Sequence, residues 1–142
     1  MKEFTDLELA KSYHGHLGPY LVIGIKMGNK AIRELQPESC FRLQTHVYCP
    51  DSPPPSCVID GLQLSTGCTM GKRNISHTET TQGVRVVVTN KDTGRSVELN
   101  LNEDFIRQAE QILKDAGEEE ASMFCWNAAD DEIFTTRCLT TC

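Results

Sequence analysis

The sequence predicts a single α+β domain in which an antiparallel sheet packs against helices. The runs "GVRVVVTN" and "RSVELNLN" are rich in strand formers and flank "KDTG", a turn-forming connection that is typical of an antiparallel hairpin. Segments with helical periodicity lie on both sides of this hairpin. A chain of 142 residues is long enough to bury one core and short for two, so we assign residues 1–142 to one domain.

The N-terminal part is predicted to form two helices and a strand. "MKEFTDLELAKSY" is an amphipathic helix pattern, because apolar residues recur in it every three or four positions. Gly18 and Pro19 then indicate the start of a central helix that continues to Leu35. "CFRLQTHVYC", from 40 to 49, contains many strand formers and is ended by "PDSPPP".

Two glycines in the predicted central helix, Gly24 and Gly28, leave one helix face without side chains. Another backbone can approach such a face closely, whether it belongs to a second helix or to a second copy of the chain. The glycine spacing therefore predicts a helix crossing or a homodimer.

The remaining elements follow from capping residues and periodicity. "SCVIDGLQLSTG" is predicted to be a helix that ends at Thr66 and Gly67. After the hairpin, "NEDFIRQAEQILKDAG" is predicted to be an amphipathic helix with Asn102 as its N-cap and Gly117 after its last turn. A short acidic helix over 118–128 and a final strand near "EIFTTRCL" complete the prediction.

The composition excludes several classes of protein. A net charge of -6 argues against nucleic-acid binding, since such proteins concentrate Lys and Arg on one face. The longest apolar run, "YLVIGI", is too short to span a bilayer, and the N-terminus lacks a signal-peptide pattern, so we expect a cytoplasmic protein. In that setting, seven cysteines indicate reduced thiols, metal ligands or redox centres rather than a disulfide framework.

The stretch "SYHGHLGPY" contains two of the four histidines, His14 and His16. Gly15 between them gives the backbone the freedom to aim both imidazoles at one point. Without a common ligand the pair would simply cap a helix or face solvent. Imidazole together with thiolate is a ligand set for zinc and other transition metals.

Two cysteines bracket the predicted helix in "CVIDGLQLSTGCTMGKRN". Cys68 lies in a turn with Lys72 and Arg73 nearby, which favours a thiolate, although a small buried packing role is equally compatible. Eleven residues of helix would separate Cys57 and Cys68 by about 16 Å, so one ion cannot contact both across a continuous helix. Either the helix breaks early or different subunits supply the ligands. The other cysteines, His46 and His77 are weaker candidates.

Three motifs, "HGHLGPYLVIGIKMG", "CVIDGLQ" and "TGCTMGKRN", resemble those of the E-subunit family of formylmethanofuran dehydrogenase over roughly residues 10 to 75. The resemblance implies an α+β core that forms an intertwined homodimer, with the His and Cys motifs near a cleft that two protomers share. Many members carry Cys where this chain has Gly18. Long members also have a C-terminal zinc finger, and we expect none here because the chain stops at Cys142.

These observations lead us to expect a metal-binding accessory protein or subunit, linked to one-carbon or molybdenum and tungsten metabolism. The expected cofactor is a divalent transition metal, most simply zinc, and the expected partners are a second copy of the chain and a larger oxidoreductase complex. The alternatives are a thiol redox protein that uses Cys57 or Cys68, and a docking subunit without chemistry of its own. The candidate residues are His14, His16, Cys57 and Cys68 as metal ligands, Cys57, Cys68 and Asp60 as catalytic groups, and Lys72 as a ligand-binding cation.

Overall fold

The computed structural model describes residues 1–140 and confirms the α+β class. Within that range the helices are α1 (Leu7–His14), α2 (Pro19–Leu35), α3 (Val58–Thr66), α4 (Glu103–Ala116), α5 (Glu118–Asn127) and α6 (Asp130–Ile133). The strands are β1 (Leu43–Cys49), β2 (Ile75–Glu79), β3 (Arg85–Asn90), β4 (Arg95–Leu101) and β5 (Phe134–Thr140). The first helix is shorter than its sequence pattern predicts, since it starts at Leu7 with Asp6 accepting a hydrogen bond from the Leu9 amide.

The strands form one sheet in the order β2-β1-β3-β4-β5. The predicted hairpin is confirmed, because β3 and β4 pair antiparallel, and β3 with β1 and β4 with β5 are antiparallel as well. The sheet is nevertheless mixed, since β1 and β2 run parallel. A crossover through α3 joins these two strands, and parallel neighbours require a connection of this kind. The short polar run "ISHTE" of β2 carries no buried alternation that would have predicted a strand.

The helix α2 lies at the centre of the molecule, as predicted. It packs against α3, α5 and the sheet, and its residues Leu21, Val22, Ile23 and Ile25 have no exposed surface. The sheet contributes alternate side chains to the same core, as the burial pattern of β1 shows. Among the described residues, no helix combines the length and the apolar character that crossing a membrane requires.

The glycine face of α2 is used inside the chain, where α3 crosses it. A Cβ atom on Gly24 would lie 2.2 Å from the carbonyl oxygen of Val58, and one on Gly61 would lie 2.2 Å from the carbonyl oxygen of Leu21. At Gly28 the side chain of Ser65 occupies the corresponding space. Of the two uses predicted for this face, the helix crossing is confirmed, and the glycines therefore give no support to a homodimer.

Candidate functional site

The end of α1 brings the two histidines of the first motif together. His14 is the last residue of α1, and Gly15 ends the helix with a φ of 106°, a left-handed conformation that favours glycine. The helix ends there, and the ring centroids of His14 and His16 lie 4.8 Å apart. The glycine thus places the two imidazoles side by side.

A carboxylate holds each of these imidazoles. Nδ1 of His14 lies 2.6 Å from Oδ2 of Asp60, which belongs to α3. Nδ1 of His16 lies 2.9 Å from Oε2 of Glu118, the first residue of α5. Because an ionised carboxylate can only accept, both Nδ1 atoms donate, and in the neutral rings both Nε2 atoms carry a free lone pair. This is the arrangement that commonly orients metal-binding histidines.

Cys57 shares a cleft with the two histidines. The cleft has a volume of about 90 Å³ and is mostly apolar; its lining consists of His14, His16, Gly18, Pro19, Tyr20, Leu21, Pro54, Cys57, Leu113 and Glu118. Burial raises the pKa of the Cys57 thiol, and the negative charge of Asp60 raises it further. The structure therefore places a thiol and two oriented imidazoles in the lining of one cleft.

Cys68 and Lys72 lie at the opposite end of α3 from this cleft. The nine residues of α3 correspond to about 14 Å of helix, which separates Cys68 from Cys57. Cys68 has no exposed surface, and burial raises the pKa of its thiol, while the hydroxyls of Thr45 and Thr66 act in the opposite direction. Nζ of Lys72 lies 5.8 Å from the ring centroid of Phe41. Within one chain, the predicted cleft of six residues is thus divided between two places.

The donor atoms of the cleft fit a transition metal in their chemistry, since they are two imidazole nitrogens and a thiol. Among residues 1–140, no three side chains of His, Cys, Asp or Glu converge as a ligand set. At Gly18, a Cβ atom would lie 3.4 Å from Cε1 of His16, so a side chain at position 18 would contact the His16 ring. His14, His16 and Cys57 therefore line one cleft without meeting as a ligand set in this structure.

The other predicted candidates take part in different contacts. His46 bonds to Ser76 and Thr78 on the sheet, and His77 bonds to the carbonyl oxygen of Cys49. Cys142 lies outside the described residues. A larger cleft of about 620 Å³ at one end of the sheet contains no His or Cys in its lining, so we place the candidate site at the histidine pair.

The sequence does not predict that Glu118 belongs to the site. Glu118 lies 102 positions from His16 and begins the run "EEE", which reads only as an acidic first turn of a helix. Nothing in that run distinguishes the residue that reaches a histidine from its neighbours. The packing of α4 and α5 against the rest of the molecule decides this contact.

The family model of FmdE, described as "Molybdenum formylmethanofuran dehydrogenase operon", matches residues 13–135 of this chain. The chain belongs to the FmdE family. This match covers both histidines and the whole of α3, and it confirms the family that the three motifs predict. The family associates the protein with the formylmethanofuran dehydrogenase operon.

Two individual proteins are also similar to this chain, one in structure and one in sequence. An FmdE-like protein of the tungsten formylmethanofuran dehydrogenase type, from Syntrophus aciditrophicus, has the same fold, with a TM-score of 0.67 at 20% identity over 99% of this chain and 78% of that one. A probable S-adenosyl-L-methionine-binding protein from Archaeoglobus fulgidus is 27% identical over 105 residues. That match includes 70% of this chain, which spans only 27% of the length of the relative.

Proposed function

We propose that this FmdE-family chain is a metal-binding accessory protein or subunit whose ligands are His14, His16 and Cys57. The observation that carries the proposal is the pair of carboxylate contacts on the histidines, 2.6 Å at His14 and 2.9 Å at His16. A histidine on a protein surface does not need such a partner, whereas a metal ligand commonly has one. Asp60 and Glu118 act as positioning residues that fix the ring orientation and the tautomer.

Cys68 does not belong to this proposed ligand set. Its sulfur is enclosed by its own chain, at the far end of α3, and has no exposed surface through which a second protomer could be reached. Two nitrogen ligands and one sulfur ligand suit zinc, which takes four ligands in a closed structural site and three protein ligands in a catalytic one. When bound, such a metal acts as a Lewis acid toward a ligand in its open position.

The partners we propose are a second copy of the chain and a larger oxidoreductase. Membership of a family associated with the formylmethanofuran dehydrogenase operon supports the second partner. The cysteine spacing supports an accessory role. Enzymes that oxidise formyl groups pass the electrons to iron–sulfur clusters, and this sequence has no close run of cysteines that suits such a cluster. Light scattering gives the mass of the isolated chain, and a monomer at micromolar concentration would contradict the homodimer.

Metal stoichiometry tests the proposed site. The protein is purified without a metal-affinity tag and its metal content is measured by elemental analysis, for the wild type and for His14→Ala, His16→Ala and Cys57→Ser. We expect about one metal per chain in the wild type and a loss of most of it in each variant. Cys138→Ser, which changes an exposed cysteine of β5, serves as the matched control.

A further variant separates two versions of the metal site. Cys68→Ser should retain the metal if the ligands are those of the histidine cleft. Loss of metal in Cys68→Ser with retention in Cys57→Ser would instead place Cys68 in the ligand set and refute the proposal. Absence of metal from the wild type after incubation with zinc would refute it as well.

A further inference from the structure

A second thiol, that of Cys40, lies beside the loop that carries Cys68. A Cβ atom on Gly67 would lie 2.6 Å from Cβ and 3.2 Å from Sγ of Cys40. The side chain of Cys40 therefore fills the space next to Gly67, the residue that directly precedes Cys68. The two cysteines are 28 positions apart in the sequence and lack any motif spacing, so only the fold brings them together.

Asn74 connects the two segments that carry these thiols. Its Nδ2 donates to the carbonyl oxygen of Cys40 over 3.0 Å, and its Oδ1 accepts from the amide of Thr69 over 2.9 Å. Asn74 is only 4% exposed, so water competes little for either bond. The carboxamide thus fixes the Cys40 turn against the residue that follows Cys68.

The two thiols differ in their exposure to solvent. Cys40 is partly exposed, next to the exposed ring of Phe41, whereas Cys68 is fully buried. Reagents from solution therefore reach Cys40 first, and Cys68 is placed to react from inside.

We infer that Cys40 and Cys68 form a reversible disulfide in which Cys40 is the attacking thiol and Cys68 the resolving thiol. The oxidant is a low-molecular-weight disulfide. The Cys40 thiolate attacks one of its sulfurs, the S–S bond breaks, and one small thiol leaves with a proton. The Cys68 sulfur then attacks the Cys40 sulfur, the mixed S–S bond breaks, and the departing small thiolate takes the Cys68 proton and leaves as the second small thiol. Two protein thiols are oxidised by two electrons, and the small disulfide is reduced to two thiols.

The inference is tested by thiol–disulfide exchange on the folded, full-length chain. The reduced protein is incubated with glutathione disulfide in excess over glutathione, quenched with acid, alkylated and digested. Mass spectrometry then quantifies the peptides that contain Cys40 and Cys68. We expect a linked Cys40–Cys68 peptide in the wild type that disappears after dithiothreitol is added. Peptide-level detection is needed because the chain contains seven cysteines.

Single variants separate the two roles. Cys68→Ser should accumulate the glutathione adduct on Cys40, because the resolving thiol is absent. Cys40→Ser should leave Cys68 unmodified, because solvent does not reach it. Cys138→Ser should still form the linked peptide and is the control for an exposed cysteine outside the pair. Asn74→Ala should increase the ratio of adduct to linked peptide severalfold, since the two segments are no longer tied together.

Three results would overturn the inference. One is a wild-type protein in which Cys40 carries the glutathione adduct but forms no disulfide with Cys68, under conditions where circular dichroism shows the native fold. Another is modification of Cys68 in Cys40→Ser at the wild-type rate. The third is a linked peptide that forms only in urea, since this would show that the native fold keeps the two thiols apart.

Discussion

Nδ1 of His14 and Oδ2 of Asp60 lie 2.6 Å apart although the two residues are 46 positions apart in the sequence. The contact joins the end of α1 to the first turn of α3, and it orients an imidazole whose side chain is only 9% exposed. The Asp60 carboxylate keeps the proton on Nδ1. The lone pair of Nε2 is then available to bind a metal.

Asp60→Asn should therefore weaken zinc binding by about tenfold to a hundredfold, the usual effect of losing a partner that orients a metal ligand. Competition with a chromophoric chelator measures the affinity. Asp115→Asn, which changes an exposed aspartate on α4, is the matched control and should bind zinc as the wild type does. An unchanged zinc affinity in Asp60→Asn would show that the His14–Asp60 contact supports the structure and does not contribute to metal binding.

The pH dependence of zinc binding should report the Cys57 thiol. Burial and the charge of Asp60 raise the pKa of this thiol, so at neutral pH the metal-free protein carries it protonated. Zinc displaces that proton, and the affinity should therefore rise by about tenfold per pH unit between about pH 7.5 and 9, because a thiol with a raised pKa is still largely protonated there. Cys57→Ser should abolish this slope, and a slope that persists in the variant would exclude Cys57 as a ligand.

Gly18→Cys should add a thiolate ligand for the metal at a position where many members of the family carry cysteine. A Cβ atom there would have an ordinary contact of 3.4 Å with His16, and the φ of -152° suits any residue, so the change introduces no strain. We expect zinc affinity to rise at least tenfold, and cobalt substitution should show an added thiolate-to-metal charge-transfer band. Gly18→Ser is the control of matched size, and equal affinities for both variants would show that residue 18 does not reach the metal.

Gly61→Ala should destabilise the protein by about 1–3 kcal/mol, because the added methyl group would lie 2.2 Å from the carbonyl oxygen of Leu21 and 2.7 Å from the amide nitrogen of Ile25. Both contacts are with the backbone of α2, so no side chain can rotate away. Urea unfolding measures the free energy. Gly71→Ala, where the nearest atom is 3.9 Å away, should change the stability by less than about 0.5 kcal/mol. Equal stability of the two variants would contradict the close crossing of α2 and α3.

Local signals were sufficient for most of the elements. The hairpin, the central helix from Pro19 to Leu35 and the Asn102 cap each depend on residues adjacent in sequence, and all three are observed. The strand β2 could not be predicted because its pairing partner β1 lies about 30 positions away and its own residues are mostly exposed and polar. Its parallel direction follows from the crossover through α3.

The sequence by itself determined the chemistry that is available to this protein, and the tertiary structure decided which groups meet. The motif "HGH" and the residues Cys57 and Asp60 supply imidazole, thiol and carboxylate groups. Only the fold shows that Glu118 completes the carboxylate pair, that Cys40 packs against Gly67 next to Cys68, and that the glycines of α2 face α3. The reason is physical: residue type sets what a side chain can bind, whereas contacts across tens of positions depend on how helices and strands pack into one core.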